Sequence, residues 1–402
     1  MTSAFADVVA APPDSILGLA EAYRSDPRPN KISLASGVYV DEHGITPILP
    51  TVAEAERRLL TTETTKLYKP IAGDPSYTSA VRELIFGPGH PLIAAGRVET
   101  LHAPGGTGAL RVAADLIRRL RPSATVWLST PTWPNHPQVF GAAGLATASF
   151  AYLDVAHGAI DMAGLHASLQ LAAAGDIVVL HGCCHNPSGV DPTPEQWATL
   201  ADTIRGLDLL PLIDFAYQGF GDGLREDAAG LLVVAERLPE LLVASSFSKN
   251  VALYAERVGA LSIVGADAAV TGVLLSHAKA AARALYSNPP AHGGEVVATI
   301  LNDPELRASW QDEVAEMRGR ITGNRRRFVD GLAAAGVPFD PQPLLRQRGM
   351  FSLLDMSVAQ VARLREEHAV YLVGAGRVNV AGLTDANLAP ACAAIAAVLR
   401  EG

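Results

Sequence analysis

The sequence predicts an α/β fold: a large domain with a mostly parallel sheet flanked by helices, plus a smaller α+β domain. Three observations predict it. Apolar runs of strand length alternate with helical patterns through the middle of the chain. Those runs are largely continuous rather than apolar at every second position, as in strands covered on both faces. Beyond residue 304 the pattern changes to one long helix, short strand-like pieces and two more helices. A chain of 402 residues is expected to form two domains. The large one is expected at 48–315, and the smaller at 1–47 with 316–402.

Taken in order, DIVVLHGCC (176–184) follows a glycine and reads as a buried strand. The loop HNPSGVDP leads to Thr193-Pro194-Glu195-Gln196, a capping box with proline at the first helical position, so a helix runs through QWATLADTIRG. LLPLIDFAY (209–217) is the next strand, and a helix near 226–237 precedes LLVASSF (241–247). ERVGALSIVG (256–265) is a further strand. Ligands of such sheets sit beyond the carboxyl ends of the strands. Asn186, Asp214, Tyr217 and Lys249 all fall at those ends. From Pro304 to about Ala335 the helical pattern is long enough to bridge two domains, without a sustained heptad seam. GMFSLL, RVNVAGL and helices at 357–368 and 385–400 complete the smaller domain.

Composition narrows the function. An apolar fraction of 49% supplies a large core, and 18% charged residues argue against disorder. The net charge of −9 disfavours nucleic acid and anionic membranes as partners. The one basic block, RRR at 325–327, is expected to be a solvated helix face. The amino terminus lacks a basic n-region, and no apolar run is long enough to span a bilayer, so a cytoplasmic protein is expected. Cys183, Cys184 and Cys392 have neither disulfide nor metal-ligand spacing, and no metal is expected.

Positive charge in this chain is almost always arginine: only Lys31, Lys66, Lys69, Lys249 and Lys279 are lysines. Lys249, in SSFSKN after the apolar run LLVA, therefore stands out. An amine can lose its proton and attack a carbonyl, whereas an arginine cannot. A solvated lysine at a strand end is the ordinary alternative. APGGTGALRVAADLIRRL (103–120) is a glycine-rich turn opening a helix, where free N–H groups can hold an anion. It fits neither the dinucleotide nor the P-loop spacing. Ser246, Ser248 and Arg257 are further candidate phosphate ligands. Asp214 ends an apolar strand, where a carboxylate is costly unless it faces a cation. An amine, an acid for a ring nitrogen, donors for a ring oxygen (Tyr217 and Asn186) and an anion cradle are what pyridoxal phosphate requires.

SSFSKNVALYAERVG, HGCCHNPSGVDPTPEQW, IDFAYQGFGDG, PTWPNH, PGGTGALR, YSNPPAHGG and GRVNVAGL together resemble the motif set of the class I aminotransferases. The branch is that of the aspartate and aromatic amino-acid enzymes, which are fold-type I pyridoxal-phosphate transferases. The likeness runs in register from AAPPDSILGL to the last helix. It implies that Lys249 carries the cofactor covalently and then shuttles a proton, while Asp214 keeps the pyridine nitrogen protonated, with His136 behind it. Tyr217 and Asn186 would bond the phenolic oxygen, and Trp133 would stack on the ring. Gly106, Thr107, Ser246, Ser248 and Arg257 would hold the phosphate, joined by Tyr68 from a neighbouring subunit. Arg377 would bind the substrate α-carboxylate, with backbone contacts from Gly37. Arg283 would reach across a homodimer to a side-chain carboxylate, so that two subunits share each active site.

The resemblance implies transamination between an amino acid and 2-oxoglutarate, giving the 2-oxo acid and glutamate. LYKPIAG and QRGMFS, with apolar Leu67 and Val40, are closer to the aromatic branch, whereas Thr107 and Asn288 look aspartate-like. Use of both aspartate and phenylalanine or tyrosine is therefore expected. Ser36 and the alanine of GAGR (374–377) depart from the usual pattern and bear on substrate fit. The alternatives are a strict aspartate aminotransferase, a lyase or decarboxylase on the same fold, a cofactor-free Schiff-base aldolase and a non-catalytic relative. The pairing of Arg377 with Arg283 weighs against the lyase. The presence of Lys249, Asp214 and Arg377 weighs against the non-catalytic relative.

Overall fold

The computed structural model describes residues 3–10, 17–155 and 157–401, so most of the stretch AAPPDSILGL lies outside the described residues. Its centre is a seven-stranded sheet: β1 (Val98–Pro104), β2 (Thr125–Thr130), β3 (Ala146–Ala151), β4 (Ile177–His181), β5 (Leu210–Phe215), β6 (Leu241–Ser246) and β7 (Val258–Val264). The spatial order is β1-β7-β6-β5-β4-β2-β3. β7 runs antiparallel to β1 and β6, and the other neighbours pair in parallel.

The pleat sorts side chains into two cores. Val178, Leu180, Ile213 and Val243 join one cluster, while Ile177, Val179, Leu212 and Leu242 join the other. This is period-two alternation with both faces apolar, which is why the runs stay apolar until the polar residues near their carboxyl ends, Asp214 in β5 and Ser245 and Ser246 in β6. Helices α1 (Gly105–Leu120), α2 (Pro194–Gly206), α3 (Ala229–Arg237) and α4 (Ala268–Leu285) cover the sheet. α1 and α4 pack on one cluster, and α2 and α3 on the other. The capping box on α2 is present, with Thr193 accepting from Gln196 N.

The strand at 176–184 is shorter than expected and ends at His181. Cys184 adopts φ +52°, and the N–H groups of Cys184 and His185 donate to the Asp191 carboxylate at 2.7 and 2.8 Å. A loop carboxylate thus takes donors that a strand would have given to its ladder. The glycines of PGGTG form the first turn of α1 itself rather than a loop before it.

Helix α5 (Pro304–Ala335) begins at an Asp303 cap, which accepts from Glu305 N and Leu306 N, and ends at Gly336 with φ +73°. Phe351–Leu353 pairs antiparallel with Arg377–Asn379, and Ile32–Ser33 pairs parallel with Val370–Tyr371. The expectation of a solvated RRR face fails at Arg325, which is 3% exposed. The helical period sets it on the inner stripe with Ile321, Phe328 and Leu332. There it donates to Ser352 Oγ and to the carbonyls of Gly349 and Phe351. Arg326 and Arg327 are exposed, as expected.

Candidate active site

β1, β2, β4, β5 and β6 all point their carboxyl ends at one edge of the sheet. Because β7 runs the other way, its amino end lies there too, and Arg257 immediately precedes it. A cavity of about 230 Å³ opens at this edge. It is lined by Gly37, Gly106, Thr107, Trp133, Asn186, Asp214, Tyr217, Ser246, Ser248, Lys249, Arg257 and Arg377. The groups expected from the sequence, apart from Tyr68 and Arg283, thus meet in one place.

Asp214 lies in β5 and is buried. Burial raises its pKa, but His136 Nε2, at 3.1 Å from Oδ2, donates to the carboxylate, and the charge of Lys249 adds to that effect. The net result lies below the ordinary carboxylate value, so Asp214 is anionic at neutral pH. His136 Nδ1 faces Thr132 Oγ1 at 2.8 Å, which fixes the ring.

Lys249 follows β6 by three residues and is partly open to the cavity. Desolvation lowers its pKa to about 8, Asp214 opposes that shift, and the charges of Arg257 and Arg377 reinforce it. The amine lies 4.9 Å from the centre of the Tyr217 ring. Its turn is braced from behind, since the buried Trp310 of α5 donates to Asn250 O at 2.8 Å. Asn186 Nδ2 donates to Tyr217 OH at 3.5 Å, and burial raises the phenol's pKa, so Tyr217 stays protonated as a donor.

Three donors gather at the amino end of α1. Ser246 Oγ lies 3.1 Å from Ser248 Oγ, and Arg257 Nη1 donates to Ser248 Oγ at 3.2 Å. The Arg257 guanidinium occupies the space above Gly105, where a Cβ would come within 2.5 Å of Nη2. Hydroxyls, a guanidinium and the first N–H groups of a 16-residue helix form a cradle for an anion.

On the opposite side Arg377 is 3% exposed and reaches in from the smaller sheet. Nη1 donates to Asn186 Oδ1 at 3.1 Å and Nη2 to Ala35 O at 2.7 Å, while Nε is buried without a partner among the described residues. Desolvation lowers its pKa to about 10, so it remains a cation. The Arg377 guanidinium stacks over Phe351 at 4.2 Å. Asn379 donates to Ser36 O and Val38 O, at 2.6 and 2.8 Å, and so holds Gly37 over the cavity.

Tyr68 is 91% exposed and Leu67 77% exposed, away from the cavity of their own chain. Arg283 is exposed too and donates to Ser287 Oγ. Phe351 and Tyr254 line the cavity but were not picked out from the sequence. Phe351 sits in a short apolar strand that reads as core. Tyr254 OH accepts from Tyr39 N at 3.0 Å, a contact across 215 residues that leaves no local signal.

The donor set fits pyridoxal phosphate. It provides an amine of lowered pKa, a carboxylate held as the anion, neutral donors and two separate cationic sites for a phosphate and a carboxylate. The unpaired Nε of Arg377 is a buried donor that an acid substrate would satisfy.

Residues 29–395 match the family model for aminotransferase class I and II. The chain is 52% identical to an aspartate aminotransferase of Escherichia coli K12, over 98% of this chain and 100% of that protein. It is 49% identical to an aromatic-amino-acid aminotransferase of Pseudomonas aeruginosa, over 99% and 100%. Among solved structures it is similar to an aromatic-amino-acid aminotransferase from Burkholderia pseudomallei covalently bound to pyridoxal phosphate. That likeness has a TM-score of 0.95 and 45% identity, and covers 99% of this chain and 100% of the other.

Proposed function

The chain belongs to the class I and II aminotransferases, and from that membership we propose that it moves the amino group of aspartate, phenylalanine or tyrosine to 2-oxoglutarate. The products are the 2-oxo acid and glutamate, formed in two half-reactions that share Lys249. The observation that carries this reading is the juxtaposition, in one cavity, of the Lys249 amine with Asp214 and Arg377.

Pyridoxal phosphate, when bound, supplies a carbonyl for the amino group and an electron-withdrawing ring for the substrate Cα. Ser246, Ser248, Arg257, Gly106 and Thr107 would hold its phosphate. Trp133 would lie against the ring, and Asn186 and Tyr217 would donate to its ring oxygen. Asp214, kept anionic by His136, would hold a proton on the ring nitrogen. Arg377 would clamp the α-carboxylate through two N–H groups while Gly37 covers the substrate. Lys249 Nζ, its pKa lowered to about 8, would then take the Cα proton and return it elsewhere, as a general base and acid should.

The division into a large domain at 48–315 and a small one at 1–47 with 316–402 belongs to this proposal. α5 bridges the two, with buried residues along its length. So does a homodimer in which Tyr68 and Arg283 complete the partner's site. Support comes from their exposure, together with that of Leu60, Leu67 and Val273 on the same chain. Among the described residues no helix is long and apolar enough to cross a membrane, and we place the enzyme in the cytoplasm.

A strict aspartate aminotransferase is the second reading, favoured by the 52% identity to such an enzyme. Comparing kcat/KM for aspartate and phenylalanine, with 2-oxoglutarate as acceptor, separates the two. Turnover of both supports dual use, and absence of phenylalanine turnover removes the aromatic half.

A further inference from the structure

A second cavity, of about 630 Å³, lies between α5 and the 345–349 segment and shares no lining residue with the first. Four arginines line it: Arg325, Arg326, Arg346 and Arg348. The chain as a whole carries a net charge of −9, so this is a local inversion of sign.

Arg325 is 3% exposed and pairs with no carboxylate among the described residues. Its Nε is 3.3 Å from Ser352 Oγ, and its Nη2 is used by the carbonyls of Gly349 and Phe351. Nη1 makes no hydrogen bond among the described residues. The carboxylate that acts on Arg325 through space, Asp191, is already bonded to the N–H groups of Cys184 and His185. A buried guanidinium without a counter-ion is costly unless a ligand balances it.

The other three surround it differently. Arg348 Nε is paired with Asp222 at 2.7 Å, and Asp222 is the one carboxylate on the wall among the described residues. Arg346 donates to His157 O at 2.8 Å and has no acidic partner, and exposed Arg326 has none either, among the described residues. The buried Asp227 lies behind Asp222, its oxygens taken by the N–H groups of Gly219, Gly221 and Asp222.

We propose that this cavity is a binding site for a compact phosphate-bearing anion. A phosphate spreads two charges over several oxygens and so can engage several guanidinium forks, whereas a single carboxylate fills one. The volume is that of a small-molecule site, which run from roughly 300 to 1,000 Å³. Among the described residues no aromatic side chain lines the wall, so the chemistry recognised is the phosphate and not a stacked base. Arg325 is held by three acceptors before any ligand arrives, which lowers the ordering cost of binding.

Inorganic pyrophosphate titrated calorimetrically into the pyridoxal-phosphate-loaded enzyme, in low-salt buffer without phosphate, tests the site. One saturable site per chain is expected, weakening as salt rises. The double variant Arg326→Ala/Arg346→Ala, both at exposed positions, should bind about tenfold more weakly. Arg326→Glu alone should weaken binding as well, which guards against a fold defect in the double variant. Absence of saturable binding, or equal affinity in wild type and in both variants, would overturn the proposal.

Discussion

His136 Nε2 donates to Asp214 Oδ2 across 3.1 Å, with both side chains closed off from bulk water. Burial is the largest single influence and would raise the carboxyl, but this donor, together with the electrostatic influence of His136, His181 and Lys249, outweighs it and leaves an anion where the ring nitrogen of the cofactor is expected.

Removing that donor should therefore act through Asp214. In His136→Leu the carboxyl loses its hydrogen bond and keeps its desolvation, so its pKa rises. The acid limb of the kcat/KM profile should move upward in pH, and activity at neutral pH should fall about ten- to a hundredfold. His136→Asn, which keeps a donor, should recover most of it. Asp214→Asn should lose on the order of a thousandfold, because an amide cannot stabilise a cation on the ring. Steady-state rates across pH check all three.

Lys249 gives a prediction for stability. Its folded pKa is about 8 against 10.5 when unfolded. Below pH 8 both states carry the charge, and the fold bears the cost of holding it. Between 8 and 10.5 the unfolded chain keeps a proton that the folded chain has shed, so stability rises with pH. Above 10.5 the penalty is gone. In cofactor-free protein, Lys249→Met should thus stabilise most below pH 8, by about 1–2 kcal/mol, since the amine is still partly wet. Urea unfolding of both proteins from pH 7 to 10.5 measures the difference, and a constant offset would contradict it.

Arg377→Lys keeps the charge and loses the planar fork. KM for both the amino acid and the oxo acid should rise about ten- to a hundredfold, with a smaller change in kcat. A fall confined to kcat would place Arg377 in some other role.

If Arg283 serves the partner's site, two inactive variants should complement each other. Lys249→Ala and Arg283→Ala chains, unfolded together and refolded, would form mixed dimers in which one of the two sites is intact. About a quarter of wild-type activity toward aspartate should return. Mixing without recovery would mean that each chain builds its own site.

The layered sheet was legible because strands buried on both faces leave unbroken apolar runs, such as IVVLH before Asn186. The direction of β7 was not legible, since its run reads the same either way, and only that direction explains how Arg257 reaches the cradle. Lys249 and Asp214 were found because an amine and an acid at apolar strand ends are out of place. Phe351 and Tyr254 were missed because aromatic residues in apolar company look like core. Arg325 was misplaced because its neighbours Arg326 and Arg327 do face solvent. One step along a helix turns a side chain by about 100°, enough to bury the first of three adjacent arginines.

The central claim is that one lysine passes the amino group between two acids in separate half-reactions. Initial rates of glutamate formation, over a matrix of aspartate and 2-oxoglutarate concentrations, test it for wild type and Lys249→Ala. Parallel double-reciprocal lines for wild type and no turnover for Lys249→Ala are the predicted result. Intersecting lines, or glutamate formed by Lys249→Ala at near wild-type rates, would contradict it.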